Sequence, residues 1–155
     1  MISPTFTFIS KTEEDTQAFG RKLAKMATKN DVFALFGTLG MGKSVLSRAF
    51  IQALTPTKEE VPSPTFTLAQ SYDTKNFIIY HFDLYRIKKA EEIFEIGIEE
   101  AMYDGVSLIE WPEKMGSYLP RDSFKIEILP EGDYRKITIY SPIPGKQERI
   151  KETFI

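Results

Sequence analysis

The chain has 155 residues, a formal charge of −2, no cysteine and a single histidine. Those numbers exclude disulfides, thiolate nucleophiles, cysteine metal sites and multi-histidine metal sites, and they leave no overall basic field for nucleic acid. The length suits one domain with a full core, so residues 1–155 read as a single unit, the tail after about 142 being its least defined part.

In chain order, Thr5 to Ile9 is predicted as a strand. Ser10 followed by Glu13 matches a capping box for a helix over about 12–27, with Phe19, Leu23, Ala24, Met26 and Ala27 on its apolar face. Lys29-Asn30-Asp31 turns the chain into an apolar run, Val32 to Phe36, which reads as a buried strand. Gly37-Thr38-Leu39-Gly40-Met41-Gly42-Lys43-Ser44 follows, and it fits the P-loop pattern of Gly, four residues, Gly-Lys and Ser or Thr. Val45 to Leu54 has helical spacing and leaves that loop.

The order of strand, glycine-rich loop and helix is what phosphate binding requires. Glycines let successive N–H groups turn inward as an anion nest, and the following helix adds the positive end of its dipole. Thr38, Leu39, Gly40, Met41, Gly42, Lys43, Ser44 and Val45 are therefore the nucleotide-binding candidates. The Lys43 ammonium suits phosphate oxygens, and the Ser44 hydroxyl suits magnesium. The competing reading is a glycine-rich turn with a surface lysine. Lys43 reads as an exposed loop lysine that contributes little to the core, so Lys43→Ala should lower nucleotide affinity without unfolding the protein.

Further along, Val61-Pro62-Ser63-Pro64-Thr65-Phe66 is held extended by its prolines. Thr67 to Tyr72 and Phe77 to Phe82 read as an antiparallel hairpin about Asp73-Thr74-Lys75-Asn76. Lys89 to Tyr103 is helical in pattern with a break at Gly97. Val106 to Ile109 is a short strand, and Pro112 opens a short helix. Phe124 to Leu129 and Tyr134 to Tyr140 form a second hairpin. Pro142, Pro144 and Gly145 are expected to stop regular structure, leaving one or two helical turns through Ile150 and Phe154. The series favours an α/β three-layer sandwich like that of P-loop NTPases, its mixed sheet parallel at the centre with antiparallel hairpins.

Two carboxylates end apolar strands, Asp83 and Glu110, and either suits the place beside magnesium. Spacing does not decide between them, and each has an ordinary alternative as a solvated acid. Thr65 suits a switch-like loop that senses magnesium and phosphate, or simply caps a strand. His81 reads as a satisfied, half-buried side chain rather than a base. Arg86 suits an ion pair better than a phosphate contact. Trp111 is core, or an aromatic wall for a nucleotide or partner.

Taken together, GTLGMGKS, VPSPTFTL, HFDLYR and VSLIEWPE resemble, in order, the motifs of the bacterial TsaE (YjeE) family of small P-loop ATPases. The four motifs span Gly37 to Glu113. The resemblance implies a cytoplasmic ATPase that binds ATP/ADP and Mg2+ and is required for threonylcarbamoyladenosine modification of tRNA. It implies that ATP hydrolysis lets the TsaB–TsaD complex turn over, with tRNA contacted through those partners and neither membrane nor DNA involved. Gly40, Gly42, Lys43 and Ser44 would hold phosphate and magnesium, with Ser63, Pro64, Thr65 and Phe66 as the switch-like loop. Asp83 would lie by the metal, and Glu110 with Trp111 would form the last motif. Ser44 stands where the family usually has Thr, which keeps the hydroxyl. Thr38 stands where it often has an acid.

Two other functions share the same loop: a small-molecule kinase, and a nucleotide-dependent binding module without hydrolysis. A kinase generally adds an arginine-rich lid, and no insertion is evidently long or basic enough for one. The N-terminus, Met1-Ile2-Ser3-Pro4, lacks a basic region followed by an apolar core, so no signal peptide is expected.

Overall fold

The structure is a computed structural model that describes residues 4–38, 40–56, 61–62, 64 and 67–155. Its frame is a seven-stranded sheet: β1 (Phe6–Ser10), β2 (Val32–Phe36), β3 (Ala69–Asp73), β4 (Ile78–Asp83), β5 (Gly105–Glu110), β6 (Phe124–Glu131) and β7 (Tyr134–Tyr140). The strands lie in the order β1-β7-β6-β2-β5-β4-β3. The central four, β6, β2, β5 and β4, run parallel. β3 pairs antiparallel with β4 on one edge; on the other, β7 pairs antiparallel with β6, and β1 pairs antiparallel with β7. The expected α/β class, parallel centre and antiparallel hairpins are all present.

Four α-helices cover the sheet: α1 (Glu13–Met26), α2 (Lys43–Leu54), α3 (Ile98–Asp104) and α4 (Pro144–Phe154). β2 and β5 are apolar almost throughout because both of their faces are covered. On one face Phe33, Leu35 and Leu108 pack with Leu23 and Phe50 of α1 and α2. On the other, Val32, Phe82 and Ile109 meet Ile93, Ile98 and Met115. Phe33 stacks on Phe124 at 5.1 Å between ring centroids and meets Phe50 edge-on at 5.3 Å. Burying each such side chain contributes about 1.5–3 kcal/mol.

Three local expectations change. The cap of α1 is Thr12, not Ser10: Asp15 N–H donates to Thr12 Oγ1 (3.1 Å), and Lys11 N–H donates to Asp15 Oδ2 (2.9 Å). Ser10 is the last residue of β1, paired with Arg135, so its backbone belongs to the sheet. Its hydroxyl instead meets Thr16 Oγ1 at 2.6 Å. The 89–103 helix is split, as Gly97 suggested, but its first half, Ala90–Glu95, is a 3-10 turn.

The tail is a full helix rather than one or two turns. Pro144 occupies the first helical turn, where its missing N–H leaves no unmet bond. Phe154 stacks on Phe6 at 5.1 Å and on Phe19 at 4.8 Å, and Ile150 is buried in the same cluster. Arg149 spans both oxygens of Asp31 and donates to the Met26 carbonyl (2.7 Å). Among the described residues no helix is long and apolar enough to cross a membrane.

Candidate functional site

The site lies at the carboxyl edge of the parallel strands, where β2 gives way to α2. Gly37 is required by close approach: a Cβ there would lie 2.6 Å from the Ile128 carbonyl oxygen, and its φ is +146°. Gly42 precedes α2 with φ 103° and ψ 13°, a left-handed conformation that favours glycine. Among the described residues no side chain caps α2. Its first N–H groups are therefore open to an anion, with the helix dipole behind them.

Lys43 opens α2 and is only 4 % exposed, which corrects the expectation of an exposed loop lysine. Its Nζ donates to the Gly37 carbonyl at 2.6 Å and lies 3.5 Å from the centre of the Trp111 ring. Burial pushes its pKa below the ordinary lysine value, while Glu110, Glu113 and Asp83 oppose that shift. Trp111 adopts φ 60°, ψ 48° immediately before Pro112, which opens the 3-10 segment Pro112–Tyr118 as expected. A bulky residue in that conformation carries strain of about 1–3 kcal/mol. Tyr85 packs against the indole at 4.9 Å. Trp111 is half-buried, packed against the second core cluster and lying beside the Lys43 ammonium.

Asp83 and Glu110 are direct neighbours in the β4–β5 register, and both are buried. They share the side of the sheet that carries α1 and α2, since Ile79, Val106 and Leu108, at even spacing from them, lie in that core. Tyr85 N–H donates to Asp83 Oδ1 at 3.0 Å. Ser44 Oγ lies 3.4 Å from Glu110 Oε1. The other oxygen of Glu110 meets His81 Nε2 at 2.7 Å. His81 is 2 % exposed, so it is buried rather than half-buried.

Among the described residues no group of three or more histidines and carboxylates could hold a metal alone. The converging donors are one hydroxyl and one carboxylate, both hard oxygen ligands. That set fits magnesium when phosphate oxygens and water complete its octahedron.

Of the remaining candidates, Thr38 and Gly40 are exposed on the loop, and Thr38 O accepts the Met41 N–H at 3.3 Å. Leu39, Ser63, Thr65 and Phe66 lie outside the described residues. Arg86 is exposed just past the Asp83 segment. Gly40, Met41, Gly42 and Val45 line a cavity of about 250 Å³ beside the loop, together with the cap residue Thr12, Thr16 of α1, and Tyr134 and Arg135 of β7. Motif reading missed those last four. No local pattern marks them, because the β6–β7 turn and the start of α1 meet the loop only in three dimensions.

The fold and site define an α/β protein that sets a glycine-rich loop and the start of a helix beside a buried lysine and two buried carboxylates. Comparison with known proteins is more specific. The family model for threonylcarbamoyl adenosine biosynthesis protein TsaE matches residues 10–137, and the chain belongs to that family. It is 42% identical over 125 residues to the TsaE protein of Rickettsia felis, covering 79% of this chain and 73% of that one. It is 31% identical over 140 residues to the TsaE protein of Bacillus subtilis, covering 90% and 87%. The crystal structure of Bacillus subtilis YdiB superposes with a TM-score of 0.79 at 27% identity, covering 99% of this chain and 95% of that one.

Proposed function

We propose that this chain is a magnesium-dependent ATPase acting in threonylcarbamoyladenosine biosynthesis, its hydrolysis serving turnover of the TsaB–TsaD complex. The observation that carries the reading is the convergence of Lys43, Ser44, Asp83 and Glu110 at the uncapped start of α2. Family membership supports the pathway.

In this reading the N–H groups from Gly40 to Ser44 surround the β-phosphate, and Lys43 exchanges the Gly37 carbonyl for phosphate oxygens. The cavity lined by Thr12, Met41, Val45 and Tyr134 takes the base and ribose. Ser44 and Glu110 would hold magnesium, and the ion would supply charge neutralisation for the phosphates. Asp83 orients a water whose oxygen attacks the γ-phosphorus. The bond to the bridging oxygen breaks, leaving ADP and inorganic phosphate. Thr65 is retained as a candidate sensor of the γ-phosphate. Tyr85 and Trp111 shield one side of the site, and tRNA is met through the partner proteins.

The test is phosphate release from ATP with purified TsaB, TsaD and tRNA added in turn. The expected result is weak release by the chain alone and a rise with TsaB–TsaD. Equal release with and without partners removes the coupling to that complex. Transfer of the phosphate to a small-molecule acceptor makes the chain a kinase instead. Nucleotide binding with no release under any condition makes it a binding module.

A further inference from the structure

We propose that His81 is a positioning residue for Glu110, holding one carboxylate oxygen so that the other faces Ser44. The inference rests on the nucleotide reading above and goes beyond it, since no motif or family likeness assigned His81 a task.

The geometry is diagonal. His81 stands opposite Leu108 in the β4–β5 register, while Glu110 stands opposite Asp83. To meet His81 Nε2 at 2.7 Å, the Glu110 side chain leans back along the sheet, away from its carboxyl edge. One oxygen, Oε2, is thereby held within the protein. The other, Oε1, is left towards Ser44 Oγ at 3.4 Å. The terminal torsion of a glutamate is broad, so nothing intrinsic fixes the plane of the carboxylate. The histidine contact does.

The imidazole's own surroundings assign the hydrogen. A carboxylate only accepts, so Nε2 donates. Nδ1 is buried with no partner among the described residues. An imidazole kept only to fill space would be replaceable by an apolar side chain that leaves no polar atom unmet. Here the single satisfied nitrogen is the one that meets Glu110. Partners that orient a metal ligand from behind typically change metal affinity by about 10–100-fold when removed.

The experiment compares His81→Gln with His81→Asn. The Gln amide nitrogen is as many bonds from the backbone as Nε2, so it still reaches Glu110, whereas the Asn amide falls short. ADP binding is measured by calorimetry, once with EDTA and once with excess magnesium. In EDTA all three proteins should bind ADP within about twofold of one another, since neither change touches the loop. The gain in affinity on adding magnesium should persist in His81→Gln and fall by about tenfold or more in His81→Asn. A wild-type gain in His81→Asn, or an equal loss in both variants, overturns the proposal. A wild-type protein that binds no ADP removes the nucleotide reading, and this inference with it.

A second measurement needs no variant. His81 is the chain's one histidine, so the imidazole nitrogens of the wild type are assignable by NMR without ambiguity. The spectrum should show the Nε2–H form and a shift of that nitrogen when magnesium is added to the ADP complex. An Nδ1–H form, or no response to magnesium, contradicts the proposal even if both variants fail to fold.

Discussion

At the scale of single residues, Lys43 is the charge on which the site turns. It is buried against an indole, near two buried carboxylates. Lys43→Met should abolish measurable nucleotide binding. Unlike the expectation for an exposed lysine, it should also change stability with pH. The folded pKa of Lys43 is lowered, so in the alkaline range the unfolded chain holds this proton more tightly than the folded one. Stability then gains with rising pH between the folded value and the ordinary 10.5. Below that window the cost of burying the charge is fully present. Wild type minus Lys43→Met, compared by denaturant titration from neutral to alkaline pH, should show this upward slope. A flat difference refutes the burial argument. For the acids, Glu110→Gln and Asp83→Asn should each lower phosphate release by about 10²–10⁴-fold. Asp83→Asn should leave ADP affinity within a few-fold, as calorimetry would show. A normal release rate in Asp83→Asn would exclude its part in orienting water.

At the scale of elements, the β2–loop–α2 unit was legible because its signals are local. An apolar run, fixed glycines, Lys43, Ser44 and a helical period all lie within about 20 residues, where sequence spacing is also spatial spacing. The Asp83–Glu110 pair was legible only as two strand ends. Their direct opposition depends on the β4–β5 register, which no local pattern encodes. The same register hid His81's contact with Glu110. Ser10 misled because a capping pattern competes with strand pairing, and pairing with Arg135 won. The tail misled because its prolines were read as breakers, while Pro144 is a helix starter whose helix is held by tertiary contacts.

Those contacts make α4 testable. Phe154→Ala removes the ring stacked between Phe6 and Phe19, and should cost about 3 kcal/mol, or several degrees in Tm. Arg149→Ala leaves Asp31 buried without its guanidinium and should cost about 2 kcal/mol, the pair being partly exposed. Thermal melts check both. Changes below 1 °C would mean that α4 is not part of the cooperative core. Gly37→Ala belongs to this scale too, since the new Cβ meets the Ile128 carbonyl of β6. It should be destabilised and should lose nucleotide binding together with fold stability.

At the scale of the whole molecule, the two layers of helix hold a sheet whose parallel strands all deliver their ends to one edge. That is where α/β sheets generally take ligands, and the loop, the two acids and the cavity meet there. Membership of the TsaE family places the chain in threonylcarbamoyladenosine biosynthesis. Catalysis at that edge requires a nucleoside triphosphate held at the start of α2. Calorimetric titration with a non-hydrolysable ATP analogue and magnesium tests this most directly. We predict one site per chain in the wild type, weakened when magnesium is withheld and lost in Lys43→Met. No binding by the folded wild type, or unchanged binding by folded Lys43→Met, would contradict it.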